Sequence, residues 1–303
     1  MELIGKTNID FIGKRNLSFL ISGIISIIGI IGIIQIARGA ANMGIDFSGG
    51  TSLQLKFDKP VHIDAARKAL VANGLHDAEL QEITEGNKLL VKVRKSMTAV
   101  GSISDKVGES FTKGMPDNRF IIEGTTEIGP SVGEKLRKDT LVAVAISMLG
   151  IILYIAWRFD FKFGIAAAVA TLHDVLAIFA AFFLLNKEVN LLLITAVLTV
   201  AGYSLTDTVV VFDRIRENLR KNLKEPLGTV FNASINEVLS RTIVTSLTTF
   251  LASVSLMLFG GDVIHDFAFA LVVGVAVGTY SSVFVASPVV VVWDALMEKR
   301  KAA

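Results

Sequence analysis

The sequence contains no cysteine. That excludes disulfides, thiolate metal sites and cysteine nucleophiles, and it is silent on compartment, because a chain facing an oxidising space can do without the residue. An excess of one charge is also missing: 30 basic and 28 acidic residues leave a net charge of +2. The totals therefore give no argument for nucleic acid or a polyanionic substrate, and what matters is where the charges sit. Histidine is scarce. His62, His76, His173 and His265 are scattered with no ligand spacing, so neither a metal site nor a cofactor is expected. No phosphate-loop spacing occurs, and no Ser/His/Asp grouping points to hydrolysis.

What the chain has instead is apolar residues. They make up 52% of its 303 positions, with a mean hydropathy of +0.59, whereas an ordinary soluble domain is about 45–50% apolar. This is an integral membrane protein. After the cytoplasmic segment 1–15, no charge occurs from Asn16 to Ala37. A run this long exceeds the roughly 7–15 residues of a signal-peptide core, so it is read as an uncleaved anchor. Five more apolar stretches follow, at about 140–157, 163–185, 189–212, 242–261 and 267–293, and residues 295–303 form a tail. Six spans with the amino terminus inside put Lys6, Lys14, Arg15, Arg158, Lys162, Arg214, Arg216, Arg220, Lys221, Lys224, Arg241, Lys299, Arg300 and Lys301 on the inner side. Only Lys187 falls in the short outer loops. That asymmetry sets both termini inside and residues 38–138 outside.

The outer stretch, Arg38 to Lys138, has the composition of a soluble domain. Thr51 to Phe57 alternates, with Leu53, Leu55 and Phe57 on one face, which predicts a half-buried strand. Ile63 to Asn73 places Ala66, Ala69 and Leu70 at helical spacing and stops at Gly74. Strands are predicted at Ala78 to Thr84 and Lys88 to Arg94 around the turn Glu85-Gly86-Asn87. A second helix carrying Val100, Ile103 and Val107 is predicted between Thr98 and Lys113, and a last strand at Arg119 to Thr126. The order β-α-β-β-α-β is the split βαβ of ferredoxin-like domains.

Val189 to Phe212 is long enough to span a bilayer yet carries Asp207. A bare carboxylate at that depth costs several kcal/mol unless paired, watered or protonated. Ser204, Tyr203, Val200 and Ala196 share its helical face. Together with Gly202 this small, hydroxyl-bearing stretch reads as a packed or hydrated seam between helices. Such a seam suits an Asp that only hydrogen-bonds a neighbour as well as one that carries protons. Arg241, at the start of the next span, reaches Asp207 if it points inward, or snorkels to headgroups if it does not. His173 and Asp174 lie near the middle of the third span. Adjacent positions diverge by about 100°, so Asp174 is taken as a second polar-network member and His173 is left unassigned. Gly274 and Gly278 form a small-xxx-small pair, read as close helix packing. Gly44, Asp46, Phe47, Gly49 and Gly50 join the first span to the first outer strand, where glycines permit tight backbone.

Together these motifs resemble the SecD/SecF family of protein-export membrane proteins, a branch of the RND transporters. The stretches that carry the resemblance are MGIDFSGGT from Met43, RFDFKFG from Arg158, LHDV from Leu172, VAGYSLTDTVVVFDRIREN from Val200 and SRTIVTS from Ser240. It implies an RND-like half of six helices with a ferredoxin-like outer domain, in the bacterial inner membrane. It further implies a transport subunit, not an enzyme, that uses the proton gradient to assist release of exported, unfolded polypeptides. Implied partners are SecD, the SecYEG channel, YajC and membrane lipid. The family's proton-pathway Asp and Arg fall on Asp207 and Arg241, with Asp174 less firmly assigned. Some relatives are fused to SecD; a chain starting at its own Met1 is expected to need it as a separate polypeptide. Two other readings remain open: a structural subunit that only stabilises the translocon, and half of a small-molecule exporter.

Overall fold

The computed structural model describes residues 5, 7–83, 86–94 and 103–302. The expected strand end at Thr84, the Glu85 turn position and a helix start at Thr98 with Val100 lie outside these residues. The chain divides into two compact units. One comprises residues 43–142 with 189–191, and the other the rest of the chain.

The first unit is built on β1 (Gly50–Phe57), β2 (Glu79–Ile83), β3 (Lys88–Arg94) and β4 (Phe120–Ile128). They form one sheet in the order β2-β3-β1-β4, with every neighbouring pair antiparallel. This is the strand order of the ferredoxin-like β-α-β-β-α-β fold. Alternation along β1 sends Leu53, Leu55 and Phe57 to one face, and the register sets Leu53 opposite Val91 and Leu55 opposite Leu89. Helices α3 (Ile63–Ala72) and α4 (Ile103–Gly114) cover that face with Ala66, Ala69, Leu70, Val107 and Phe111, all buried. Phe111 packs edge-on to Phe57 with ring centroids 5.5 Å apart. Helix α3 ends in a Schellman motif, Leu75 N–H donating to Leu70 O at 3.0 Å and Gly74 N–H to Val71 O at 3.1 Å.

The second unit is helical. Its elements are α1 (Arg15–Ala37), most of α5 (Pro130–Arg158), α6 (Phe161–Leu184), α7 (Leu191–Lys221), α8 (Leu227–Phe259), α9 (Asp262–Ser281), a five-residue π-turn (Ser282–Ala286) and α10 (Ser287–Ala302). Among the described residues six helices are long and apolar enough to cross a membrane, α9 through α10 counting as one. Several helices outrun the apolar stretches. Helix α5 begins with Pro130 at its first position, where a missing N–H costs nothing, α7 continues to Lys221, and α8 starts at Leu227. Hydropathy marks only the part of a helix that hydrocarbon can hold; backbone hydrogen bonding carries the helix on into water. Phe159, Phe163, Phe212 and Phe231 fill a core at that end of the bundle, joined by Phe11 and Ile12 of the amino-terminal segment.

That segment is held by two asparagines of α8. Asn232 Oδ1 accepts the N–H groups of Phe11 (2.9 Å) and Ile12 (3.0 Å), while Asn236 exchanges bonds with Ile9, its Oδ1 taking the N–H and its Nδ2 donating to the carbonyl. The π-turn directly precedes Ser287 and Pro288. Proline has no N–H to offer the preceding turn, and the wider register accommodates the loss, with Ser287 Oγ donating to Ser282 O at 3.2 Å.

Candidate functional site

Asp207 is 7% exposed on α7. Its Oδ2 accepts from Ser246 Oγ of α8 at 3.0 Å. Ala196, Val200 and Ser204, on the same face, are buried, and Tyr203 is half-buried with its hydroxyl enclosed and without a hydrogen-bond partner among the described residues. Gly202 is different. It is exposed, a Cβ added there would meet nothing within 4 Å, and it shares the outer face of α7 with Thr195, Thr199 and Thr206, so it joins no seam among the described residues.

Arg241 does not pair with Asp207 here. Its side chain is exposed, and no ion pair within 4.0 Å joins the two. The reason is azimuth. Five residues separate Arg241 from Ser246, a rotation of about 140° at 3.6 residues per turn, so a helix that aims Ser246 at Asp207 turns Arg241 away. The inward stripe of α8 is Thr242, Ser246 and Ser253, all buried, with Thr242 Oγ1 enclosed and unpartnered among the described residues. These hydroxyls escaped a reading that weighed only axial reach; their i, i+4, i+11 spacing is the signal that finds them.

Asp174 is the more connected carboxylate. It is 0% exposed, and its Oδ2 accepts from Ser204 Oγ of α7 and from Ser281 Oγ of α9, the latter at 2.8 Å. Ser204 thus lies on the Asp207 face but gives its hydroxyl to Asp174. His173 is buried too, its Nδ1 3.0 Å from Asp174 Oδ1. The divergence of neighbouring positions separates the Cβ atoms and still lets the two side-chain ends meet. One turn beyond Ser204, Thr208 Oγ1 lies 3.0 Å from Ser282 Oγ of the π-turn.

The close approach of α9 to α7 depends on two glycines. A Cβ at Gly278 would lie 2.9 Å from Ser204 Cβ, and one at Gly274 would lie 2.5 Å from Val200 Cγ2. The seam on α7 and the glycine pair on α9 are two halves of one packing surface.

In the other unit, residues 45–48 form a short helix, α2, capped by Gly44. Asp46 Oδ2 accepts the N–H of Leu191, the first residue of α7, at 3.0 Å, and Gly44 N–H donates to Val189 O at 2.9 Å. A carboxylate on the first turn of a helix suits the exposed N–H groups and the positive end of the helix dipole. Phe47 is buried beside it. Gly49 has φ +72° and Gly50 φ +151°, and a Cβ on Gly50 would lie 2.5 Å from Val93 O, so the paired glycines turn the chain into β1 where no side chain fits.

Two family descriptions match this chain: "Protein export membrane protein SecD/SecF, C-terminal" over residues 106–296 and "SecD/SecF GG Motif" over residues 41–61. The chain is 51% identical over 292 residues to the protein translocase subunit SecF of Thermodesulfovibrio yellowstonii, covering 96% of each. To the subunit of the same name from Pseudomonas aeruginosa it is 35% identical, covering 94% of this chain and 91% of that one. Among solved structures it is similar to SecDF of Thermus thermophilus, described as a translocon-associated membrane protein, with a TM-score of 0.83 at 34% identity. The match covers 95% of this chain and 39% of the longer SecDF chain. With the matched region holding both the buried carboxylates and the paired glycines, the chain belongs to the SecD/SecF family of protein-export membrane proteins.

Proposed function

We propose that this chain is an auxiliary subunit of the Sec export machinery that, with SecD, uses the proton-motive force to assist translocation and release of polypeptides. In this reading it sits in the bacterial inner membrane with both termini in the cytoplasm, as the Lys and Arg placement favours. The unit containing β1–β4 then faces the outer side, where it meets emerging unfolded chains. SecYEG is the channel it serves, and YajC a further partner. The exposed face of α7 at Thr195, Thr199, Gly202 and Thr206 suits a helix of SecD, because small residues let two helix backbones approach closely.

The observation that carries the proton-coupled reading is Asp207: a carboxylate 7% exposed within a membrane-spanning helix, held by one neutral hydroxyl. Arg241 is the cation on α8 next to this site, five residues before Ser246. Asp207 exchanges Ser246 for Arg241 as it loses its proton, and the exchange turns α8 about its own axis as well as shifting it along α7.

The test is export of a reporter into vesicles, with and without an imposed proton gradient, at matched subunit levels. Asp207→Asn is expected to assemble and to lose stimulation by the gradient, and Asp207→Glu to keep part of it. Arg241→Ala is expected to be at least as damaging as Asp207→Asn, since the ionised carboxylate then lacks its counter-charge. The double variant is expected to be no worse than either single one. Asp207→Asn vesicles that answer the gradient like wild type would make Asp207 a packing residue and remove the basis of the proposal.

A further inference from the structure

His173 and Asp174 form a buried pair that the reading centred on Asp207 leaves unused. His173 is 4% exposed and Asp174 0%. Two serine hydroxyls, Ser204 and Ser281, already donate to Asp174 Oδ2, and His173 Nδ1 faces Oδ1 at 3.0 Å. An ionised carboxylate only accepts. With Asp174 ionised, the bond to Oδ1 takes its hydrogen from the ring Nδ1. In a neutral imidazole Nε2 is then a bare lone pair. Nε2 is enclosed and has no hydrogen-bond partner among the described residues, which is an expensive arrangement for an acceptor that never acquires one.

The surroundings leave that position to a proton. The Tyr280 ring lies 6.2 Å from the imidazole, but its hydroxyl is engaged with α1, donating to Ser18 O at 3.1 Å and lying 3.2 Å from Ser22 Oγ. On α7, Tyr203 and Asp207 flank Ser204 in sequence. Arg15 of α1 and Lys162 of α6 sit in the first turns of their helices, the basic run of α7 starts at Arg214, ten residues past Ser204, and His265 and Asp266 of α9 lie at the opposite end of that helix from Ser281. Among the described residues no Lys or Arg pairs with Asp174, so its counter-charge is one that the ring can take on and give up.

We propose that His173 Nε2 is a proton-accepting station separate from Asp207, with Asp174 as its counter-charge. One proton passes from hydronium to the Nε2 lone pair and the hydronium leaves as water. The Nδ1–H bond to Asp174 is kept throughout, and the pair goes from one negative charge to none. Because Ser204 and Ser281 anchor Asp174 to α7 and α9, this change of charge acts on the same seam that carries Asp207. The assignment deepens the proton-coupled reading and rests on it only for its consequence in transport.

The experiment uses the full-length chain in lipid nanodiscs with 15N-labelled histidine, following the ring nitrogens from about pH 5 to 9, the range in which imidazoles titrate. His173→Gln identifies the His173 signals among the four histidines. At the alkaline end the Nδ1–H tautomer is expected, with Nε2 gaining a proton as the pH falls. Asp174→Asn is expected to abolish the tautomer preference. An Nε2–H tautomer in the wild type, or a ring that stays neutral across the range, would overturn the proposal. If His173→Gln fails to fold, the signals are assigned instead by the loss of tautomer preference in Asp174→Asn, and its absence counts equally against the proposal. A titrating His173 in protein whose Asp207→Asn form still answers the gradient would sink the Asp207 reading alone; an inert His173 beside a gradient-dead Asp207→Asn would sink this proposal alone.

Discussion

Gly278→Ala probes the seam with one methyl group. The added Cβ would stand 2.9 Å from Ser204 Cβ and 3.1 Å from its Oγ, where carbon atoms prefer about 3.5–4.0 Å. Something must move by roughly half an ångström or more. Ser204 is confined: it is 1% exposed and donates to Asp174, whose same oxygen also accepts from Ser281, three residues along α9. Overpacking of this kind costs about 1–3 kcal/mol, and loss of a hydrogen bond to a charged group about 1.5–3 kcal/mol. The helix-forming advantage of alanine over glycine returns about 1 kcal/mol. The net expectation is a loss of about 2 kcal/mol or more.

Thermal unfolding in mild detergent measures the change, with Gly274→Ala as comparison, since the atoms nearest its Cβ belong to the Val200 side chain, from 2.5 Å, and not to a group bonded to Asp174. Ser204→Ala combined with Gly278→Ala is expected to cost less than the sum of the two, because the bond to Asp174 is lost only once. A Gly278→Ala protein that melts higher than wild type would show helix propensity winning over packing and would refute a tight α7–α9 contact.

Asp46→Ala is expected to lower stability by about 0.5–2 kcal/mol through loss of the cap on α7, while Asp46→Asn keeps most of it; equal melting of all three proteins would mean that Leu191 does not use this acceptor. At the amino terminus, the Gly13 N–H and then the Asn232 amide hold the Asp10 carboxyl below its usual 3.8. Its folded value is depressed, so the stability it contributes is present above 3.8 and is lost as the pH falls through the lowered value. The Gly13 amide resonance is expected to follow that titration and Asp10→Asn to remove it; a Gly13 signal indifferent to acid in the wild type would refute the tether. The absence of native cysteine allows a clean test of orientation: a cysteine at Gly86 is expected to label with an impermeant reagent from outside and one at Lys221 from inside, and equal outside labelling at Lys221 would reverse the topology.

How far the sequence speaks depends on whether a feature is periodic. Leu53, Leu55 and Phe57 alternate, so the buried face of β1 and its place in a ferredoxin-like sheet are legible, and Ala196, Val200 and Ser204 recur at helical spacing, so the inner face of α7 is too. What stays hidden is set by the rotation of one helix against another. Axial reach leaves Arg241 free either to meet Asp207 or to snorkel, and the family resemblance favours the meeting, yet the turn between positions 241 and 246 gives that place to Ser246. Gly202 looked like part of the seam because small residues cluster there, but it faces outward. Neighbouring His173 and Asp174 were separated by their divergence on the helix, and their side chains close the gap. Asp46 lay beyond any local pattern, since its acceptor role involves Leu191, 145 residues away. In this bundle the buried ionisable groups are few, and their partners are set by contacts between helices. A one-dimensional pattern can therefore name the helix that carries a buried carboxylate, while which hydroxyl or cation meets it is decided by packing, here by glycines at 274 and 278 that let α9 bring Ser281 to Asp174.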